Sequence, residues 1–188
     1  MVTDSHLPAR TIDPRVRRYL SSLTPGRHAE PANPAHSTLY WLVRARRPRS
    51  TALAGRPPET ALLTLACALA ENQRALLVWQ PRDDSDIEML DTLSKAGLEW
   101  LMRRERCAGC DGHCARLDCL VVCPDAGSLD DYAGRLTRGA MVIGIVPGCW
   151  GQAARALAAR LADAFPIETP TCLQAGPCCL LLGMTQDR

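Results

Sequence analysis

Five of the chain's ten cysteines fall within residues 105–123, ERCAGCDGHCARLDCLVVC. Cys107, Cys110, Cys114 and Cys119 follow the spacing C-x2-C-x3-C-x4-C, with His113 beside the third and Gly109 and Gly112 available for the tight turns of a metal knuckle. A C-x2-C pair lets two thiolates reach one ion, and tetrahedral zinc then needs two more ligands, which Cys114 or His113 and Cys119 could supply. An iron–sulfur cluster is another use of four such thiols. The opposing reading is a set of apolar thiols. Cys119 and Cys123 lie four apart in the run LDCLVVC, hence on one face of a strand, and cysteine is among the most buried residue types.

Other spacings invite narrower chemistry. Cys149 follows an apolar strand and opens a helix, where free amides lower a thiol pKa, and with Arg155 it makes C-x5-R, the spacing of cysteine-dependent phosphatases. Ala153 and Ala154 stand where such a phosphate loop needs glycine, and Cys110 to Arg116 repeats the spacing. A phosphate-binding loop G-x-x-x-x-G-K-[ST] is absent after Gly55, and Lys95, the only lysine, lies in a helix, which excludes ATP hydrolysis by the standard route. Cys67, Cys172, Cys178 and Cys179 read as core thiols, and His6, His28 and His36 as incidental residues of the N-terminal segment.

The elements that would position these residues alternate. Pro8, Pro14, Pro25, Pro31 and Pro34 mark residues 1–47 as a basic, Pro-rich arm with helices, the second over 36–47 with Leu39, Leu42 and Val43 inward and Pro48 after it. From residue 48 to 188 strand and helix patterns take turns. STALAG is a strand, and ETALLTLACALAEN a helix with Leu62, Leu65, Ala66 and Leu69 on one face. RALLVWQ is an apolar strand, and DDSDIEMLDTLSKAGLEWL a helix with Gly97 near its end. LDCLVVCP and AMVIGIVP are further buried strands, separated by a helix capped through Ser128 and Asp131. GQAARALAARLADAF is amphipathic through Leu157, Leu161 and Phe165, and PIETPTCL and CCLLLG close the chain as a hairpin. This order predicts an α/β fold with a doubly wound, mainly parallel sheet and a C-terminal antiparallel hairpin, carrying a cysteine-rich insertion at 105–119. Ligands of such sheets bind at the carboxyl ends of the strands, so the loops after residues 54, 80, 123 and 146 are where chemistry belongs.

The stretch LDCLVVCPDAGSLDDYAGRLTRGAMVIGIVPG, with the long helix and closing hairpin FPIET…CCLLLG, resembles the carboxyl half of a class I S-adenosylmethionine-dependent methyltransferase, a Rossmann-like fold. RLTRGAMVIGIV matches that family's Leu-x-x-Gly-Gly approach with Ala140 at the second glycine. The resemblance extends over about residues 50 to 183 and lies in the order of elements. It implies S-adenosylmethionine as cofactor, held over loops at Gly55, Gln80, Asp111 and Asp125, with Asp125 also facing the transferred methyl group as the catalytic candidate. The cofactor motifs are degenerate: LAGRPPE replaces the family's glycine-rich first loop, and Gln80 replaces the acid that grips the ribose. The implied activity is therefore methyl transfer to an unknown substrate, with a catalytically inactive, zinc-stabilised interaction or scaffold protein on the same fold as the alternative.

Composition sets the remaining bounds. With 47% hydrophobic and 22% charged residues the 188-residue chain can build one core. Residues 1–60 carry ten arginines against four acids while the remainder carries twelve basic against sixteen acidic side chains, so the N-terminal region is the candidate for nucleic acid or another anionic partner. No apolar run approaches the length of a membrane span, and no targeting segment follows the first methionine, which predicts a cytoplasmic protein without membrane contact.

Overall fold

A computed structural model of the protein describes residues 34–72, 76–79, 86–104, 116–148, 151–167, 170–175 and 178–186. The first described element is helix α1 (Pro34–Arg46), followed by β1 (Ser50–Ala54), α2 (Glu59–Glu71), β2 (Leu76–Trp79) and α3 (Asp86–Lys95). A 3-10 turn (Glu99–Leu101) leads into β3 (Met102–Arg104), and then come β4 (Leu117–Val122), α4 (Asp130–Ala133), β5 (Leu136–Pro147), α5 (Gln152–Ala164), β6 (Thr171–Ala175) and β7 (Cys178–Met184).

The seven strands form one sheet in the order β3-β2-β1-β4-β5-β7-β6. The pairs from β3 through β5 are parallel, and β7 runs antiparallel to both β5 and β6. Chain order reverses between β1 and β4, where Ala52 faces Leu120 and Leu53 faces Val121, and this defines the switch point of the sheet. The expected α/β class, parallel core and antiparallel hairpin are all present.

Side chains alternate across the sheet with the period of two that strands impose. Leu53, Cys119, Val121, Cys123, Met141, Ile143 and Ile145 face α1, α2 and α3, whereas Ala52, Ala54, Leu120, Val122, Val142 and Val146 face α5 and the α4 turn. Each large aliphatic side chain so buried is worth about 1.5–3 kcal/mol relative to leaving it in water. On α2 the expected stripe Leu62, Leu65, Ala66 and Leu69 is buried, and so are Thr64, Cys67 and Ala68. The helix is enclosed so widely because α1 covers its outer side. That contact is stitched by polar groups: Arg44 reaches Glu71 at 3.2 Å and the Asn72 side-chain oxygen at 3.1 Å, while the Asn72 amide donates to the Val43 carbonyl at 3.1 Å. Leu39, Tyr40 and Val43 carry α1 into the core, Tyr40 taking the place expected of Leu42, which is half-buried.

Four local readings change. The helix expected through Leu101 stops at Lys95, because Gly97 turns into the left-handed region at φ +69° and the amides of Gly97 and Leu98 bond back to Ser94 and Leu93. That is a Schellman stop, and it frees Met102–Arg104 to pair with β2 as a strand the periodicity did not reveal. The helix expected from Ser128 is a single turn, with Ser128 Oγ accepting from Asp130 N at 3.2 Å and donating to Asp130 Oδ2 at 2.8 Å, so Asp130 replaces Asp131 as its partner. β5 starts at Leu136, four residues early, and the last three residues assigned to the cysteine-rich insertion, Leu117 to Cys119, are the start of β4.

Candidate functional site at the sheet switch point

β1 ends at Ala54, and its carbonyl accepts the Cys123 amide at 2.8 Å, which joins the two strand ends on either side of the switch point. Gly55 then takes φ +85°, a conformation that L side chains rarely adopt. Space forbids a side chain there as well. A Cβ at residue 55 would lie 2.6 Å from Asp125 Oδ1, 2.9 Å from the Ala126 amide nitrogen and 3.1 Å from Cys123 Cβ. The Asp125 carboxylate in turn accepts the Arg56 amide with both oxygens, at 3.0 and 3.1 Å. Gly55 and Asp125, two of the four residues assigned to cofactor binding, are therefore neighbours at the carboxyl ends of β1 and β4.

The loop after β4 is held from the far side by Arg160 of α5. Its guanidinium donates to the carbonyls of Pro124 at 3.1 Å, Ala126 at 2.6 Å and Gly127 at 2.8 Å. Three charge-assisted hydrogen bonds from one fork fix the loop that presents Asp125. Sequence reasoning missed this residue, since an arginine on an amphipathic helix carries no signal of what it will reach. Pro57 and Pro58, which follow Arg56, offer no N–H, so the turn before α2 is poorer in donors than a glycine-rich loop would be.

Gln80 and Asp111, the other two assigned cofactor residues, lie outside the described residues, as do Cys107, Cys110, Cys114, His113, Cys149 and the arm through residue 33. Of the four assigned zinc ligands only Cys119 is described. Cys119 is fully buried on β4 opposite Thr51, in the core under α2, and burial pushes its thiol up to about 12. Burial of this kind favours the neutral thiol. Cys123 shares that face and its pKa is raised for the same reason, as the four-residue spacing predicted. Among the described residues no group of three or more His, Cys, Asp and Glu is placed to hold a metal ion.

His36 is buried in α1 with Nε2 3.3 Å from Thr60 Oγ1, so it belongs to the α1–α2 packing. Within β5, Gly139 has φ +69°, and Ala140, where the resembling family has its second glycine, is buried. Thr185 locks that turn, its hydroxyl accepting from the Ala140 amide at 2.9 Å and donating to the Thr137 carbonyl at 2.8 Å.

Solved structures share this architecture over nearly the whole chain. A methyltransferase from Geobacter sulfurreducens superposes with TM-score 0.60 at 20% identity, covering 94% of this chain and 98% of that one. This is the class I methyltransferase fold. The O-methyltransferase TomG from Streptomyces achromogenes, solved in complex with SAM, shows the same methyltransferase fold with TM-score 0.58 at 19% identity, covering 96% and 93% of the two chains. Cofactor-bound Rv0187 from MTB gives 0.59 at 16% identity, covering 98% and 94%. No family model matches the sequence, and no curated protein matches it. Among the described residues no helix is long and apolar enough to cross a membrane.

Proposed function

We propose that the protein is an S-adenosylmethionine-dependent methyltransferase acting on a substrate still to be identified. The observation that carries this reading is the meeting of Gly55 and Asp125 across the switch point, on a fold that TomG uses with the same cofactor bound. The described residues fit such a group: Gly55 lets the backbone turn tightly at the strand end, and the exposed Asp125 carboxylate is fixed at the rim by Arg56 N–H. When bound, S-adenosylmethionine supplies an electrophilic methyl group on a sulfonium centre. Asp125 would place negative charge beside that cation, and Arg160 would keep the Asp125 loop still. Gln80 and Asp111 are assigned the ribose and the adenine from the family resemblance. Holding donor and acceptor in line is the main contribution a protein makes to such a transfer.

A catalytically inactive interaction or scaffold protein on the same fold is the second reading, and one observation favours it. Pro57 and Pro58 remove two amide donors from the first loop, and Asp125 fills the space beside Gly55. Zinc in that reading rests on the spacing of Cys107, Cys110, Cys114 and Cys119, with His113 beside the third.

Calorimetric titration with S-adenosylmethionine and with its demethylated product separates the readings. Saturable heat that is lost in the Asp125→Ala variant supports the enzyme. Absence of heat at millimolar ligand sinks it.

A further inference from the structure

The opposite end of the strands carries a second feature that methyl transfer does not use. Where β1, β4 and β5 begin, Arg46, Arg47, Arg49 and Arg138 line a groove of about 330 Å³. They converge for reasons of chain path. α1 ends at Arg46, Arg47 takes φ +49°, and Pro48 turns the chain directly into β1, so three arginines are delivered within four residues. Arg47 is the only non-glycine residue among those described with positive φ, and such strain in a β1 approach invites a functional reason. β5 brings Arg138 alongside, next to the Gly139 turn.

One carboxylate, Asp118, lines the groove, and it is already engaged. Its Oδ2 accepts the Arg49 amide at 3.1 Å and its Oδ1 lies 3.2 Å from the Thr137 hydroxyl. Among the described residues, Arg46, Arg47 and Arg49 have no ion-pair partner for their side chains. By contrast Arg44, one turn earlier, is absorbed by Glu71 and Asn72. The guanidinium groups of Arg46, Arg47 and Arg49, gathered with so little compensation, repel one another, and a bound oxyanion relieves that repulsion; planar forks suit phosphate oxygens best.

We propose that this groove binds the phosphodiester backbone of a nucleic acid. A polymeric anion is favoured over a compact phosphate by the distribution of charge: the arginines continue along the chain, ten against four acids over residues 1–60. The contacts are to phosphate and carry no sequence reading. The site lies at the amino ends of the strands, away from Gly55 and Asp125, and does not depend on the methyl-transfer reading.

Binding of a labelled single strand of RNA about 20 nucleotides long, followed by fluorescence anisotropy without S-adenosylmethionine, tests the site. The expected results are an affinity that falls steeply as salt rises from 50 to 200 mM and a loss of about tenfold or more in Arg46→Glu/Arg49→Glu, with a shallower salt slope. Arg155→Glu, on the exposed side of α5, should change affinity by less than about threefold. If the double charge reversal does not fold by circular dichroism, Arg46→Gln/Arg49→Gln replaces it, with the same direction expected. Three outcomes overturn the proposal: no binding by the parent protein at 50 mM salt, equal loss in the Arg155 control, or inorganic pyrophosphate binding as tightly as the strand.

Discussion

The carboxylate of Asp125 occupies the space into which a side chain at residue 55 would project, its Oδ1 lying 2.6 Å from the Cβ that Gly55 lacks. The two residues are seventy positions apart in the chain, and each makes the other possible. Without Gly55 the carboxylate has nowhere to sit; without the carboxylate the Arg56 amide loses its acceptor.

Gly55→Ala should therefore destabilise the protein by about 1–3 kcal/mol, from backbone strain at φ +85° and from the displaced Asp125 loop. Asp125→Ala should cost less, about 1 kcal/mol, because the bond it removes is solvent-exposed. Adding Asp125→Ala to Gly55→Ala should recover only part of the loss, since the Ala126 amide nitrogen still lies 2.9 Å from the new Cβ. Urea midpoints of the three variants measure this, and full recovery in the double variant would contradict the geometry.

Cys119→Ser should lower stability by about 1–3 kcal/mol by placing a hydroxyl in a fully buried site. A chelator should leave the stability of the parent protein's core unchanged through this residue, and a thiol reagent should not reach Cys119 before unfolding. Reaction of Cys119 in the native state, mapped by mass spectrometry, would contradict that burial.

Cys172 on β6 and Cys179 on β7 hold their sulfur atoms 2.9 Å apart. Cys179 is fully buried, and its pKa is raised by burial and by the Cys172 thiol beside it, whereas Cys172 is half-buried. Hydrogen peroxide should oxidise the accessible Cys172 to a sulfenic acid, whose sulfur the Cys179 thiol then attacks, forming the disulfide and releasing the hydroxyl group with the thiol proton as water. Each oxidised molecule should show a Cys172–Cys179 linked peptide, reversible by dithiothreitol and absent in Cys172→Ser. Exclusive linkage through Cys178 instead would show that the register of the hairpin differs.

Burial lowers the pKa of His36 below the usual imidazole value. The unfolded chain then binds a proton at higher pH than the folded one, so this residue's contribution is fully present above about pH 6.5 and decreases as pH falls through that value. Urea midpoints should drop between pH 7.5 and 5.5, and His36→Gln should flatten that part of the profile. An unchanged pH dependence in the variant would place the titration elsewhere.

The amino-acid sequence by itself determined the alternation of elements, because strands buried on both faces and helices with one apolar stripe leave distinct periods in LDCLVVC, AMVIGIV and the Leu157–Leu161–Phe165 stripe. It also marked Gly55 and Asp125 through the resemblance of their loops. It did not show β3, whose three residues are too few for a period to register, nor the true end of α3, which two backbone hydrogen bonds around Gly97 decide. Tertiary structure alone decided what touches what. Strand order sets β1 beside β4 and so brings Asp125 to Gly55, and helix packing aims Arg160 at three carbonyls. Hairpin register sets Cys172 opposite Leu181 and so diagonal to Cys179, whose sulfur it meets, and the path from α1 into β1 gathers arginines beside Asp118. These contacts depend on distances between segments remote in the chain, and local sequence encodes periodicity without encoding which remote neighbour will meet it.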